Sequence, residues 1–314
     1  MNKLQFVFKF CTEPQKSIYK LENAQKYISD LVQKTDWISF AISKHIPKQV
    51  RQDYLNICQF HNELARIEET SKERSLGVGK LQYWSDQIDQ IFLDNPQRDP
   101  LSICLHNSCK NNPLPKYLFQ KMINYRKQQV ERGEFANLVD MATSAEANRG
   151  SQFLLFLRLM RMDIENQDLK QLTEFSAQAV GITDYLRRVP FTLQNYKLSL
   201  PEDIKFKHNI NVRSLWDRIR GEPKEELYDV VLEVAAFARS QMIKSTSFQN
   251  KIPPQSFRAF LHLTPTEQYL EELEYYNFKI FEKAINQNSY VQLPITLFKN
   301  CRKMKFVSKD YEQK

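Results

Sequence analysis

Glycine is scarce, with 6 residues in a chain of 314. Few positions can then take the left-handed backbone that tight turns need, which argues against a sandwich or barrel of many strands. Paired cysteines are missing too. Cys11, Cys58, Cys104, Cys109 and Cys301 form no C-x-x-C pair. That excludes a zinc ribbon and a disulfide framework, and an odd, unspaced set reads as reduced thiols of cytosol or mitochondrial matrix. The five histidines are scattered without an H-E-x-x-H, so no metal or cofactor is indicated. Long apolar runs are also absent. The best of them, "FLLFLRLM" at 153–160, carries Arg158, falls well short of the roughly 20 residues of a membrane span, and reads as a buried helix.

Acid is in deficit, with 37 Asp and Glu against 45 Lys and Arg, a net charge of +8. A surface of that sign attracts anions: an anionic membrane face, a diphosphate, an acidic protein or nucleic acid. No RNA-binding module is recognisable, so nucleic acid is not the expected partner.

Present in abundance are hydrophobic residues, 42% of the chain, with 21 Phe and 14 Tyr. They recur with helical spacing. Val50, Tyr54, Ile57, Leu64 and Ile67 make one stripe after Pro47, and Leu81, Trp84, Ile88 and Ile91 make the next. That second run stops at "DNP", where Asn95 precedes Pro96. Further helices are expected near 100–109, 114–131, 136–162 and 167–188, then through "KEELYDVVLEVAAFARSQM". A last long one should be opened by a Thr264-Pro265-x-Glu267 capping box. The sum is one all-α domain over 47–304, a basic N-terminal arm over 1–46 with possible short helices, and a polar tail over 305–314. The opening "MNKLQFVFKFCT", with Lys3, Lys9 and no acid, is compatible with mitochondrial targeting.

The order of "FHNELARI" (60–67), "GKLQYW" (79–84), "DNPQRDP" (94–100), "GITDYLRRVP" (181–190) and "LPEDI" (200–204), with "FRAFL" and "LPI" later, resembles the squalene/phytoene synthase family. Within it, the closest resemblance is to the mitochondrial branch that serves assembly of respiratory complex I. The resemblance covers about Pro47 to Met304. It implies a single-domain prenyl-synthase-like helical fold around a central cavity. It also implies, for the family's enzymes, two aspartate-rich motifs that hold Mg²⁺ ions against a prenyl diphosphate.

This chain departs from that pattern at both motifs. Asn62 and Arg66 stand where the first motif has aspartates, leaving Glu63 as its one carboxylate. In the second, Leu186 and Arg187 are followed by Arg188 in place of an aspartate, and Thr192 stands at the later acidic position. An arginine cannot ligate Mg²⁺ and repels it. The expectation is a catalytically inactive protein of the mitochondrial matrix, peripheral to the inner membrane. Its expected partners are complex I subunits or assembly intermediates, with anionic phospholipid of the inner membrane a further candidate.

Arg66, Arg187 and Arg188 are candidates for a metal-free anion pocket, or for pairing with Glu63 and capping a helix end. Lys299, Arg302, Lys303 and Lys305, beside Phe298 and Phe306, form a candidate membrane or partner stripe. Tyr83 and Trp84 read as core packing, and Asp184 and Asp203 as surface or capping acids. Two other readings stay open. One is a structural subunit of another mitochondrial assembly. The other is an active prenyl or lipid transferase using Asp86 and Asp89, the D-x-x-D of "SDQIDQ".

Overall fold

The computed structural model describes residues 19–311, apart from 72, 194–196, 213–214, 216–224, 283–284, 286–290 and 310. All regular elements among them are helical. They run α1 (Leu21–Thr35), α2 (Trp37–Ser43), α3 (Arg51–Thr70), α4 (Arg74–Phe92), α5 (Pro100–Asn111), α6 (Lys116–Arg132), α7 (Leu138–Ala145), α8 (Ser151–Leu159), α9 (Gln167–Thr192), α10 (Glu202–Lys207), α11 (Glu225–Thr246), α12 (Leu263–Tyr275) and α13 (Gln292–Lys303). A 3₁₀ segment, Pro254–Phe260, leads towards α12. No described helix is long and apolar enough to cross a membrane.

Local chemistry sets most of the starts and stops. The Asp99 side chain accepts from the amides of Leu101 and Ser102, and Pro100 follows in the first turn, so α5 opens there. Asn137 caps α7 and Asn166 caps α9 in the same way. α6 ends at Gly133, whose φ of +91° is open to glycine and strained for other residues.

The 26-residue α9 runs through the middle of the molecule and packs along α7, α11 and α12. It approaches α7 very closely at Gly181. A Cβ there would lie 2.6 Å from the Ala145 Cβ and 3.0 Å from its Cα. Phe153, Phe156 and Phe260 fill the interior beside it, all fully enclosed.

Several details differ from the sequence reading. The body begins at Leu21, because Ala24, Ile28 and Val32 bury one face of α1 against α3 and α5; the N-terminal 18 residues lie outside the described region. Pro47 sits in a turn before α3, not in its first turn. The expected helix over 136–162 is α7 and α8 joined by one π-helical turn at Glu146–Gly150. The expected capping box does not form. α12 starts two residues earlier, with His262 at the N-cap position, the Thr264 hydroxyl donates to the Phe306 carbonyl, and Glu267 binds the chain beyond α13 instead. Consequently the tail is less polar than its sequence suggests: Phe306 and Val307 are buried.

Candidate functional site

α3 brings Gln59, Asn62, Glu63 and Arg66 to the wall of a cleft of about 510 Å³, and Arg188 of α9 lines the same cleft. Asn62 and Arg66 are four residues apart and so share a helix face. Positions 62, 66 and 188 therefore meet in space. Tyr27 of α1 and Asp99 complete the rim.

Asn62, Glu63 and Arg66 each have a partner at this junction. Arg66 pairs with Glu63 at 2.6 Å. The Asn62 amide donates to Asp36 Oδ2 at 3.0 Å, while Asp36 Oδ1 accepts from the Ser39 amide and caps α2. An aspartate at 62 would set two carboxylates face to face; asparagine supplies the missing donor. Asp99 is spent on the start of α5.

Arg187 and Arg188 are neighbours in sequence and so point about 100° apart around α9. Arg188 reaches the cleft, its guanidinium 5.7 Å from the Tyr185 ring. Arg187 lines an adjoining chamber of about 170 Å³ instead, donates to the Pro265 carbonyl at 2.6 Å, and lies 4.7 Å from the Tyr269 ring centre. Arg188 lines that chamber as well, so it shares the cleft with Arg66 and the chamber with Arg187; neither space takes all three of the arginines expected to converge on one anion. Thr192 lines neither; its hydroxyl turns back to the Val189 carbonyl.

Asp184 is no surface acid. It is held by Arg149 through Nε and Nη2, both at 2.6 Å, with Arg187 3.6 Å away. Burial alone would raise its pKa, but the guanidiniums of Arg149, Arg187 and Arg188 outweigh that and lower it. Arg149 comes from the π turn, whose extra residue aims it across to α9 and also at Gln152 Oε1. Two histidines are enclosed nearby. His262 lies parallel to the Phe156 ring and its Nε2 is 3.2 Å from the Ser39 hydroxyl. Burial and the field of Arg149 push it down to about 3. His61 is pushed well below its ordinary value by burial, then by Arg149, Arg126 and Arg188. Both are neutral.

Elsewhere, Asp86 is exposed and bound by Gln82, and Asp89 takes Lys116 and Gln120. Among the described residues they belong to no group of acids, histidines or cysteines that could hold a metal ion. Asp203 accepts from the Ile204 amide at the start of α10. Trp84 is core, but Tyr83 is 43% exposed and donates to Gln97.

Divalent cations do not fit this cleft. Its carboxylates are tied to an arginine or to helix caps, two arginines flank them, and no group of acids, histidines or cysteines among the described residues could hold a metal.

The family model for squalene/phytoene synthase matches residues 32–296. The chain belongs to this family. Solved structures show the same fold. A dehydrosqualene synthase superposes with a TM-score of 0.72 at 15% identity, covering 91% of this chain and 99% of that one. The squalene synthase HpnC of Alicyclobacillus acidocaldarius gives 0.66 at 12%, over 82% and 95%. Among curated proteins, the Bos taurus "NADH dehydrogenase (ubiquinone) complex I, assembly factor 6" is 27% identical over 87% of this chain and 80% of its own length. The Homo sapiens protein of that name is 26% identical over 87% and 80%. A Dictyostelium discoideum homolog is 27% identical over 88% and 73%. This member of the synthase family thus has a cleft lined by Asn62, Arg66 and Arg188.

Sequence reasoning located Asn62, Glu63, Arg66 and Arg188 but missed Asp36, Arg149 and His262. The "TDW" before α2 was a readable cap signal for Asp36. No local signal marks a π turn or a buried histidine.

Proposed function

We propose that this protein is a non-catalytic member of the synthase family that assists assembly of respiratory complex I in mitochondria. The relatives named as complex I assembly factors support the assembly role. One observation carries the loss of catalysis: where the two acidic motifs face each other, Arg66 and Arg188 bring fixed positive charge and Glu63 is neutralised by Arg66. Ionising a prenyl diphosphate needs cations held against the leaving group, and nothing in this cleft can hold them. The protein works in the matrix, peripheral to the inner membrane. The cleft then serves as a recognition surface, in which Arg66 and Arg188 offer guanidiniums to an anionic group of a partner or phospholipid.

The test has two arms. Purified protein with prenyl diphosphates and Mg²⁺ should yield no condensed product; turnover would refute the non-catalytic reading. Native purification from mitochondria should recover immature complex I modules. Recovery with a mature complex instead would make the protein a structural subunit. Arg188→Glu should abolish any bound phosphate or lipid in the cleft, and an unchanged yield would remove the anionic ligand.

A further inference from the structure

α13 has two apolar faces. Leu293 and Leu297 turn inward, where the helix packs on α2 and α12. On the opposite side, Val291 is 73% exposed, Ile295 49% and Phe298 56%. Steps of four and three residues put these three on one line, and a further step of four reaches Arg302. Lys299 and Lys303 lie along the flank of that line. None of Lys299, Arg302 and Lys303 is in an ion pair among the described residues, and Arg302 lies 5.9 Å from the Phe298 ring centre. From Val291 to Lys309 there is no acid at all.

We infer that this outer face of α13 docks on the surface of an anionic phospholipid bilayer, with Val291, Ile295 and Phe298 at the acyl boundary and Lys299, Arg302 and Lys303 among the head-group phosphates. This deepens the peripheral-membrane part of the function proposed above and rests on it. A bilayer interface accepts both chemistries at once. Apolar side chains enter below the head groups, while lysine and arginine keep their stems in the apolar layer and raise their charges to the phosphates. Nucleic acid would take the charges but gain nothing from three exposed hydrophobic side chains. A helix of 12 residues is too short to span and lies flat.

Flotation of the full-length chain with vesicles tests it. The protein should rise with phosphatidylcholine vesicles containing phosphatidylglycerol, stay behind with pure phosphatidylcholine, and be released by salt. Ile295→Ser with Phe298→Ser should abolish flotation. Lys299→Gln with Lys303→Gln should weaken partitioning roughly 25-fold, about five for each charge removed. Unchanged melting curves would show that both variants fold. If the wild type floats and both variants float equally well, another surface binds lipid: α13 is wrong and the peripheral reading survives. Failure of the wild type to float overturns the docking face. Whether alkaline carbonate then strips the protein from mitochondrial membranes decides the peripheral reading separately. Variants that lose a protein partner while wild type ignores vesicles would make the face a protein interface.

Discussion

Asp184 and Arg149 form a buried, two-point ion pair, and removing one partner strands the other's charge. Arg149→Met should cost about 3–5 kcal/mol in urea unfolding. The double variant with Asp184→Leu should lose much less than the sum of the singles, a coupling that a double-mutant cycle reads directly. Gly181→Ala pushes a methyl into Ala145 across two helices with no flexible neighbour to yield. A loss of about 1–3 kcal/mol is expected. Asn62→Asp is the most telling substitution at the cleft. It adds an acid to the cleft wall and places a second carboxylate against Asp36. Two facing carboxylates raise each other's pKa, so the variant should be less stable than wild type at neutral pH and should regain stability as the pH falls through the carboxylate range. A variant as stable as wild type at neutral pH would mean that the Asn62–Asp36 contact contributes nothing.

At the scale of elements, the 3₁₀ segment, α12, α13 and the tail lock together. Buried Glu267 accepts from the amides of Ser308 and Lys309 and from the Tyr311 hydroxyl, and Asn300 ties Thr264 to the same region. Glu267→Ala leaves those donors unmet, and should speed tryptic cleavage at Lys303 and Lys305 well before the body unfolds. The same region shows what a sequence can reveal. Thr264, Pro265 and Glu267 fit a capping pattern, yet the Thr264 and Glu267 side chains serve partners 42 residues away, because tertiary partners outcompete a local cap. Helices α3, α4, α5, α6, α9 and α11 were legible because each repeats an apolar stripe against the core. The cleft's α3 wall and Arg188 were legible through family motifs. Arg149, His262 and the Asn62 contact of Asp36 were not, since these roles exist only once segments more than 25 residues apart have met.

For the whole molecule, two histidines fixed in their neutral forms make stability depend on acid. Their folded pKa values lie below the ordinary 6.5. The unfolded chain therefore binds more protons as pH drops below that value, and stability falls with it, down to about pH 3 for His262. The slope is about 1.4 kcal/mol per pH unit for each histidine. Melting temperature should decline steadily below pH 6.5, and His262→Gln should make that decline shallower; a flat profile would show that neither histidine is held neutral.

The two ends of the body also lean on each other. Ser39 meets His262 across 223 residues of sequence, and α2 packs against α13. A ribosome adds roughly 5–20 residues each second, so α2 waits on the order of ten seconds or more before His262 and α13 exist to meet it. Contacts of such separation also carry a large loop-closure entropy and slow the final step. A nascent or truncated chain lacking α13 leaves the matching face of α2 uncovered and sticky, which makes this protein dependent on being finished before it can be safe from aggregation.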